Sequence, residues 1–195
     1  MQFSLSEIQQ KVVDVLIKKY KDRNVHNETI NFPKDLKKAY TNGLGEVDVK
    51  LLENTFKEYL VNEKIYKAMV LVEFIPWNIH TDYNKGDDNP AKAILIPAYT
   101  QNTNTIVFNE VLTKTGAEAM RSLPKVKNHV TEELYQKHLT HILWEDAQRV
   151  SIKEVFAWEK GKAVTWDRNL LHTSDNFKKN NLDSKIALVI FTKRV

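Results

Sequence analysis

The chain has 195 residues, 42% of them hydrophobic and 10% aromatic, with no cysteine and a net charge of +4 from 29 basic and 25 acidic side chains. That size and apolar content suit one globular domain with a substantial core, and the lack of cysteine excludes disulfides and Cys-ligated zinc or iron–sulfur sites. No run approaches the ~20 apolar residues that span a bilayer; the N-terminus lacks the pattern of a secretory signal; and the small basic excess decides no partner.

The first third reads as helical. Ser4-Leu5-Ser6-Glu7 fits a capping box, a Ser at the N-cap and a Glu three residues on satisfying each other's free backbone N–H groups. Ile8, Val12, Leu16 and Tyr20 then share one helical face. A second helix is expected from about Asp48 to Asn62, after an irregular stretch with Pro33 and the turn signal Asn42-Gly43. From Lys67 the pattern changes to strands. Met69–Ile75 is a β-forming apolar run bounded by Pro76, and Ala93–Pro97 and Thr105–Phe108 follow across a polar stretch, Thr100–Asn104. Residues 128–148 look helical, with Thr131 as N-cap and Glu132 and Glu133 in the first turn. Strand signals return at Glu154–Trp158, Ala163–Trp166 and Lys185–Thr192.

Helices first and many short strands afterwards argue against a parallel doubly wound sheet. The expected fold is mainly β with flanking helices (α+β): a double-stranded β-helix, or jelly roll. A single domain is expected, 1–66 forming a helical flank and 67–195 a jelly-roll core with a helical insertion at about 109–150.

The chemistry-bearing residues are His80-Thr81-Asp82 and His172. Two imidazoles and one carboxylate can occupy three positions on Fe(II) and leave three open. In extended chain, residues i and i+2 point to the same side, so His80 and Asp82 can reach one ion. The third donor must come from another strand, which accounts for its distance of 90 positions (172 minus 82). His-x-Asp alone is a weak signal. Its placement strengthens it: the pair ends an apolar strand, and His172 follows a strand, the Lys160-Gly161-Lys162 turn and a second strand. Lys185 then opens the last strand 13 positions later (185 minus 172).

In this order the pattern resembles the Fe(II)/2-oxoglutarate-dependent dioxygenase superfamily, over roughly residues 67–195. The segment from Trp158-Glu159-Lys160-Gly161 to Leu170-Leu171-His172 is similar to the turn, strand and distal-His segment of those enzymes. The resemblance implies Fe(II) on His80, Asp82 and His172, 2-oxoglutarate as co-substrate with Lys185 pairing with its distal carboxylate, and a hydroxylase producing succinate and CO2. Thr105, in a Thr-x-Val-Phe strand, resembles a position that hydrogen-bonds the same carboxylate. Lysine stands where arginine is usual, exchanging a bidentate fork for a point charge, and Ala187 stands where a serine is frequent.

Other histidines carry weaker signals. His138 and His141 could share a metal with Glu145 but form no His-Glu-x-x-His pattern, and His26 and His129 sit in polar stretches. Trp77, Trp158 and Trp166 adjoin the site and read first as core. Asp87-Asp88 reads as a solvated turn, and Asp167-Arg168 as an ion pair near the distal His or a substrate contact. Two alternatives stand beside the oxygenase: a cupin-like metal enzyme not using 2-oxoglutarate, and a non-catalytic jelly-roll binding module. The substrate is expected to be a small molecule or an exposed side chain, with nucleic acid left open, no membrane, and a cytoplasmic location.

Overall fold

The computed structural model describes residues 1–22, 28–31, 37–83, 88–112, 123–126 and 130–195, with backbone alone at 28–31 and 37–38. Among the described residues, ten antiparallel strands form two facing sheets. Seven strands make the larger one, in the order β1 (Gln2–Ser4), β8 (Lys162–Asp167), β5 (Pro90–Pro97), β10 (Lys185–Arg194), β4 (Glu63–Glu73), β3 (Lys37–Gly43) and β2 (Glu28–Asn31). The smaller holds β7 (Ile152–Trp158), β6 (Gln101–Val111) and β9 (Leu170–Ser174). This is the expected jelly roll with flanking helices. No described helix is long and apolar enough to cross a membrane.

Strand alternation sorts the side chains into three apolar layers. On β4 and β10, Ala68, Val70, Leu188 and Ile190 face outward and pack under α1 (Glu7–Tyr20) and α2 (Glu46–Thr55). Met69, Ala187 and Val189 face inward, where they meet Val107, Phe156, Trp158 and Leu170 of the smaller sheet. The outer face of that smaller sheet, with Ile106, Phe108 and Leu171, is covered by Val130, Leu139, Ile142 and Val150 of the helical insertion. Glu73 and Lys185 share the parity of the inward residues, so the same alternation that builds the core aims both into the space between the sheets.

Several local expectations are corrected. Ser6 caps α1 and pairs with Gln9 in a capping box; Ser4 instead ends the edge strand β1, paired with β8. The buried stripe of α1 is Val13, Leu16, Ile17 and Tyr20, whereas Ile8 is exposed. Asn42-Gly43 makes no turn: both lie in β3 against β4, and the Asn42 side chain donates to the Tyr20 carbonyl. The second helix stops at Thr55, followed by the 3-10 turn Lys57–Tyr59. The first third therefore contributes three strands besides its helices. The polar residues Gln101 to Asn104 belong to β6. In the insertion Thr131 caps as expected, accepting from the Leu134 amide. The continuous helix is replaced by a turn, Glu132–Leu134, a π-helix, Tyr135–Leu139, and a short helix, Trp144–Ala147.

Gly161 closes the β7–β8 turn at φ +85, a region costly for residues with a Cβ. An added Cβ would meet nothing closer than 3.9 Å, so strain alone decides the outcome. Gly161→Ala is expected to cost about 1–2 kcal/mol, read as a lower urea midpoint at unchanged m-value.

Candidate metal centre and the adjoining cavity

His80 sits directly opposite His172. Each amide donates to the other's carbonyl, at 3.0 and 2.9 Å, in an antiparallel bridge. Residues opposed in this way project side chains to the same side, and the rings lie 4.3 Å apart between centroids. Asp82, two residues on, keeps the same side. The pair does not end the apolar strand, as the sequence suggested. β4 stops at Glu73; His80 forms an isolated bridge with His172, and the Asp82 amide bonds to the Arg168 carbonyl between β8 and β9. His172 lies in β9, whose strand character the sequence reading did not identify.

One donor atom from each of His80, Asp82 and His172 lies within 4.8 Å of the others. The Asp82 Oδ2 to His172 Nε2 distance is 3.3 Å. Among the described residues this is the group able to hold a metal. The ring tautomers follow from their neighbours. His80 Nδ1 is 2.7 Å from the Asn78 carbonyl and His172 Nδ1 is 3.2 Å from that of Leu170. A carbonyl only accepts, so each Nδ1 carries the hydrogen and each Nε2 presents a lone pair, as metal-ligating histidines require. Two neutral imidazoles and one carboxylate, all held by backbone, fit a divalent transition ion.

Asp82 is fixed at its backbone. Its amide donates to the Arg168 carbonyl at 3.0 Å, and Arg168 Nη2 donates to the Asp82 carbonyl at 2.7 Å. Arg168, 1% exposed, lies over the rings of Phe191 and Tyr66. It is a buried clamp on the metal loop, and the Asp167-Arg168 ion pair is not how the arginine is used. A buried arginine of this kind carries no sequence signal that separates it from a surface one.

Burial pushes the Asp82 carboxyl up to about 6 in the metal-free protein, opposed by His80 when its ring is protonated and by the Arg168 charge. The Trp166 indole N–H also favours the carboxylate while lying outside strict hydrogen-bond geometry. Burial holds the His172 imidazole down at about 4. A metal needs Asp82 ionised, so protons compete from about pH 6 downward. Metal affinity is expected to fall about tenfold per pH unit below that point, measured by Mn(II) titration of apoprotein between about pH 5 and pH 8.

Beside the triad, a cavity of about 260 Å³ runs between the sheets. Its wall includes all three donors together with Thr105, Glu73, Ser174 and Lys185. Lys185, 2% exposed, lies 4.4 Å from the Trp158 ring centroid and 5.2 Å from that of Phe177. Its Nζ is 3.4 Å from Glu73 Oε2. Thr105 Oγ1 accepts from the Trp158 indole at 2.9 Å. Burial drives Lys185 down and Glu73 up from their ordinary values, each opposed by the other's charge. Glu73 is a cavity residue that the sequence reading passed over: it stands inside the apolar run Met69–Ile75, and only its strand parity hints that it points inward.

The remaining candidates fall outside the centre. His138 is buried under the insertion. His141 Nε2 donates to the Trp77 carbonyl at 3.1 Å, propping the segment that leads to His80. Trp166 packs on His172 with centroids 4.8 Å apart, and Trp77 stands 5.4 Å from His80. Trp158 is buried. His26, His129 and Asp87 lie outside the described residues.

No protein-family model matches the sequence, and no curated protein matches it. Solved structures do. A non-heme alpha-ketoglutarate-dependent carbocyclase, SnoK, from nogalamycin biosynthesis superposes with a TM-score of 0.60 at 12% identity, covering 100% of this chain and 79% of its own. EctD from S. alaskensis, solved with 2-oxoglutarate and 5-hydroxyectoine, gives 0.56 at 12%, covering 100% and 72%. A Pseudomonas putida prolyl-4-hydroxylase gives 0.51 at 10%, covering 100% and 92%. At these identities the likeness establishes the shared jelly-roll fold.

Proposed function

We propose that this protein is an Fe(II)- and 2-oxoglutarate-dependent oxygenase, a hydroxylase by default, releasing succinate and CO2. One observation carries the reading: a single cavity is lined by the His80–Asp82–His172 donor set and also by a buried lysine, Lys185. Buried amines are costly unless they meet an anion, and a 2-oxo dicarboxylate has one for each end of such a cavity. The fold shared with SnoK, EctD and the prolyl hydroxylase supports the assignment.

In this reading His80, Asp82 and His172 hold Fe(II), and the metal, when bound, supplies O2 activation coupled to decarboxylation of the 2-oxo acid. The chain's own residues do the rest. The Asn78 and Leu170 carbonyls keep both Nε2 atoms aimed at the ion, and Arg168 keeps Asp82 on the same side. Lys185 takes the distal carboxylate, and the Thr105 hydroxyl, oriented by the Trp158 indole, donates to it. The apolar walls around Leu71, Leu95 and Val189 exclude water from the reacting end. The substrate is a small molecule or an exposed side chain, entering past Trp77 and Phe191, and the protein works in the cytoplasm.

The test is succinate production by anaerobically purified protein given Fe(II), 2-oxoglutarate, ascorbate and air. Iron-dependent succinate is expected from wild type and not from His80→Ala or Lys185→Ala. A protein that binds Fe(II) yet neither binds nor turns over 2-oxoglutarate sinks the reading. That outcome would promote the cupin-like metal enzyme, which one observation favours: Lys185 already faces the Glu73 carboxylate at 3.4 Å.

A further inference from the structure

Lys185 cannot receive a new carboxylate as a lone cation, because Glu73 occupies part of its surroundings. The two are register partners across β4 and β10. Glu73 Oε1 accepts from the Ser174 hydroxyl at 2.7 Å and the Trp77 amide at 3.1 Å, while Oε2 faces Lys185. Glu73 is 3% exposed, so little water screens it.

The charges around this carboxylate can be counted element by element. From β10 comes Lys185. From the end of β9 come the neutral Ser174 and, immediately after it, Asp175, whose field also acts on Lys185. Asp175 is buried and held by the Thr103 hydroxyl and the Asn104 amide. β3, on the far side of β4, offers Ala39 as register partner and Thr41 to the cavity wall. Lys67 lies on the cavity wall with its side chain exposed, and His80, Asp82 and His172 are the other titratable groups on that wall. One buried cation thus already faces two acidic side chains. A third carboxylate beside it has no balancing charge, and in a desolvated site that imbalance is expensive.

We propose that Glu73 determines which 2-oxo acid the cavity accepts: 2-oxoglutarate binds with a proton taken up by Glu73, and with Glu73 ionised the Lys185 end admits 2-oxo acids with an uncharged tail. The inference rests on the oxygenase reading above. The proton comes from solvent, moves onto a Glu73 oxygen as the distal carboxylate arrives, and leaves again with the product dicarboxylate. No bond of the co-substrate is altered in this step. Burial, which already favours the neutral acid at Glu73, acts in the required direction, and Ser174 and Trp77 hold the residue in place in either form.

The experiment is calorimetric titration of the Mn(II)-loaded full chain with 2-oxoglutarate, in buffers of differing ionisation heat at about pH 6 and about pH 8. Wild type is expected to take up about one proton per 2-oxoglutarate at the higher pH, with affinity weakening about tenfold per pH unit above the Glu73 pKa. Glu73→Gln should bind with no proton uptake and at least about tenfold more tightly than wild type at pH 8. 4-Methyl-2-oxopentanoate should bind wild type without proton uptake. Glu73→Met, similar in volume, serves if the amide variant does not fold. Wild-type binding without proton uptake overturns the proposal and leaves the oxygenase reading standing. Uptake that persists in both Glu73 variants places the proton on another group, Lys185 or Asp175, and also overturns it. Mn(II) binding with no 2-oxoglutarate binding in any variant at either pH overturns both.

Discussion

Replacing His172 with alanine is expected to weaken Fe(II) or Mn(II) binding by more than about 100-fold, since even residues that only orient metal ligands are worth about 10- to 100-fold. The fold should survive. What holds 80–82 against β9 is the pair of backbone bonds between residues 80 and 172, which alanine retains. The imidazole's own Nδ1 hydrogen bond goes to Leu170 of the same strand, and the ring borders an existing cavity, so its removal enlarges a space without opening a new one. Anaerobic calorimetry with Mn(II), alongside thermal melting by circular dichroism, separates the two effects. His138→Ala is the contrasting control. It removes a buried imidazole in the insertion and should lower the melting temperature with metal affinity unchanged. Full metal binding by the His172 variant would mean that the three donors do not share one ion.

The contrast between these histidines marks what could be read from the chain alone. His80, Asp82 and His172 were legible because the i, i+2 rule of extended backbone is local and because a strand, a turn and a second strand precede His172. The structure keeps the same-side geometry yet realises it in an isolated bridge instead of a strand end, since side-chain parity depends on backbone extension and not on sheet membership. Lys185 was singled out by its order after His172, and its parity with Ala187 and Val189 accounts for its place on the cavity wall. Glu73 was not, because a single acidic residue inside the apolar run Met69–Ile75 reads only as part of the strand. Only the pairing of β4 with β10, a contact between residues far apart in sequence, turns that position into a buried one. Arg168 escaped for the same reason: its guanidinium is committed by the crossover from the large sheet to the small one. β9 was missed because Leu170–Ser174 is too short for a period to show. Ser4 and Ser6 illustrate a finer limit. Both can cap a helix, and the choice fell to Ser6 because Ser4 pairs with Lys162 at the sheet edge, a tertiary contact outweighing an equal local preference.

Lys185→Met is expected to destabilise the protein by about 3–5 kcal/mol, the cost of leaving one member of a buried ion pair without its partner. Glu73 would keep Ser174 and Trp77 as donors but lose the positive charge that offsets its burial. Its pKa, already raised by burial, should rise further. The sign of the pH dependence follows. A carboxyl whose folded pKa lies above its unfolded value is compatible with the fold while protonated, and stability is lost as pH rises through the folded pKa. The single variant should therefore be nearest to wild type in mild acid and fall progressively behind it toward alkaline pH. Glu73→Gln/Lys185→Met removes both charges and keeps the volumes similar. Replacing a whole buried pair is often neutral or stabilising, so the double variant should recover most of the loss and show no such pH dependence. Urea denaturation of the apoproteins across about pH 5 to 8 reads all of this without metal or co-substrate. Additive losses in the double variant would show that Glu73 and Lys185 are not energetically coupled, and that the lysine's burial is supported by Trp158 and Phe177 instead.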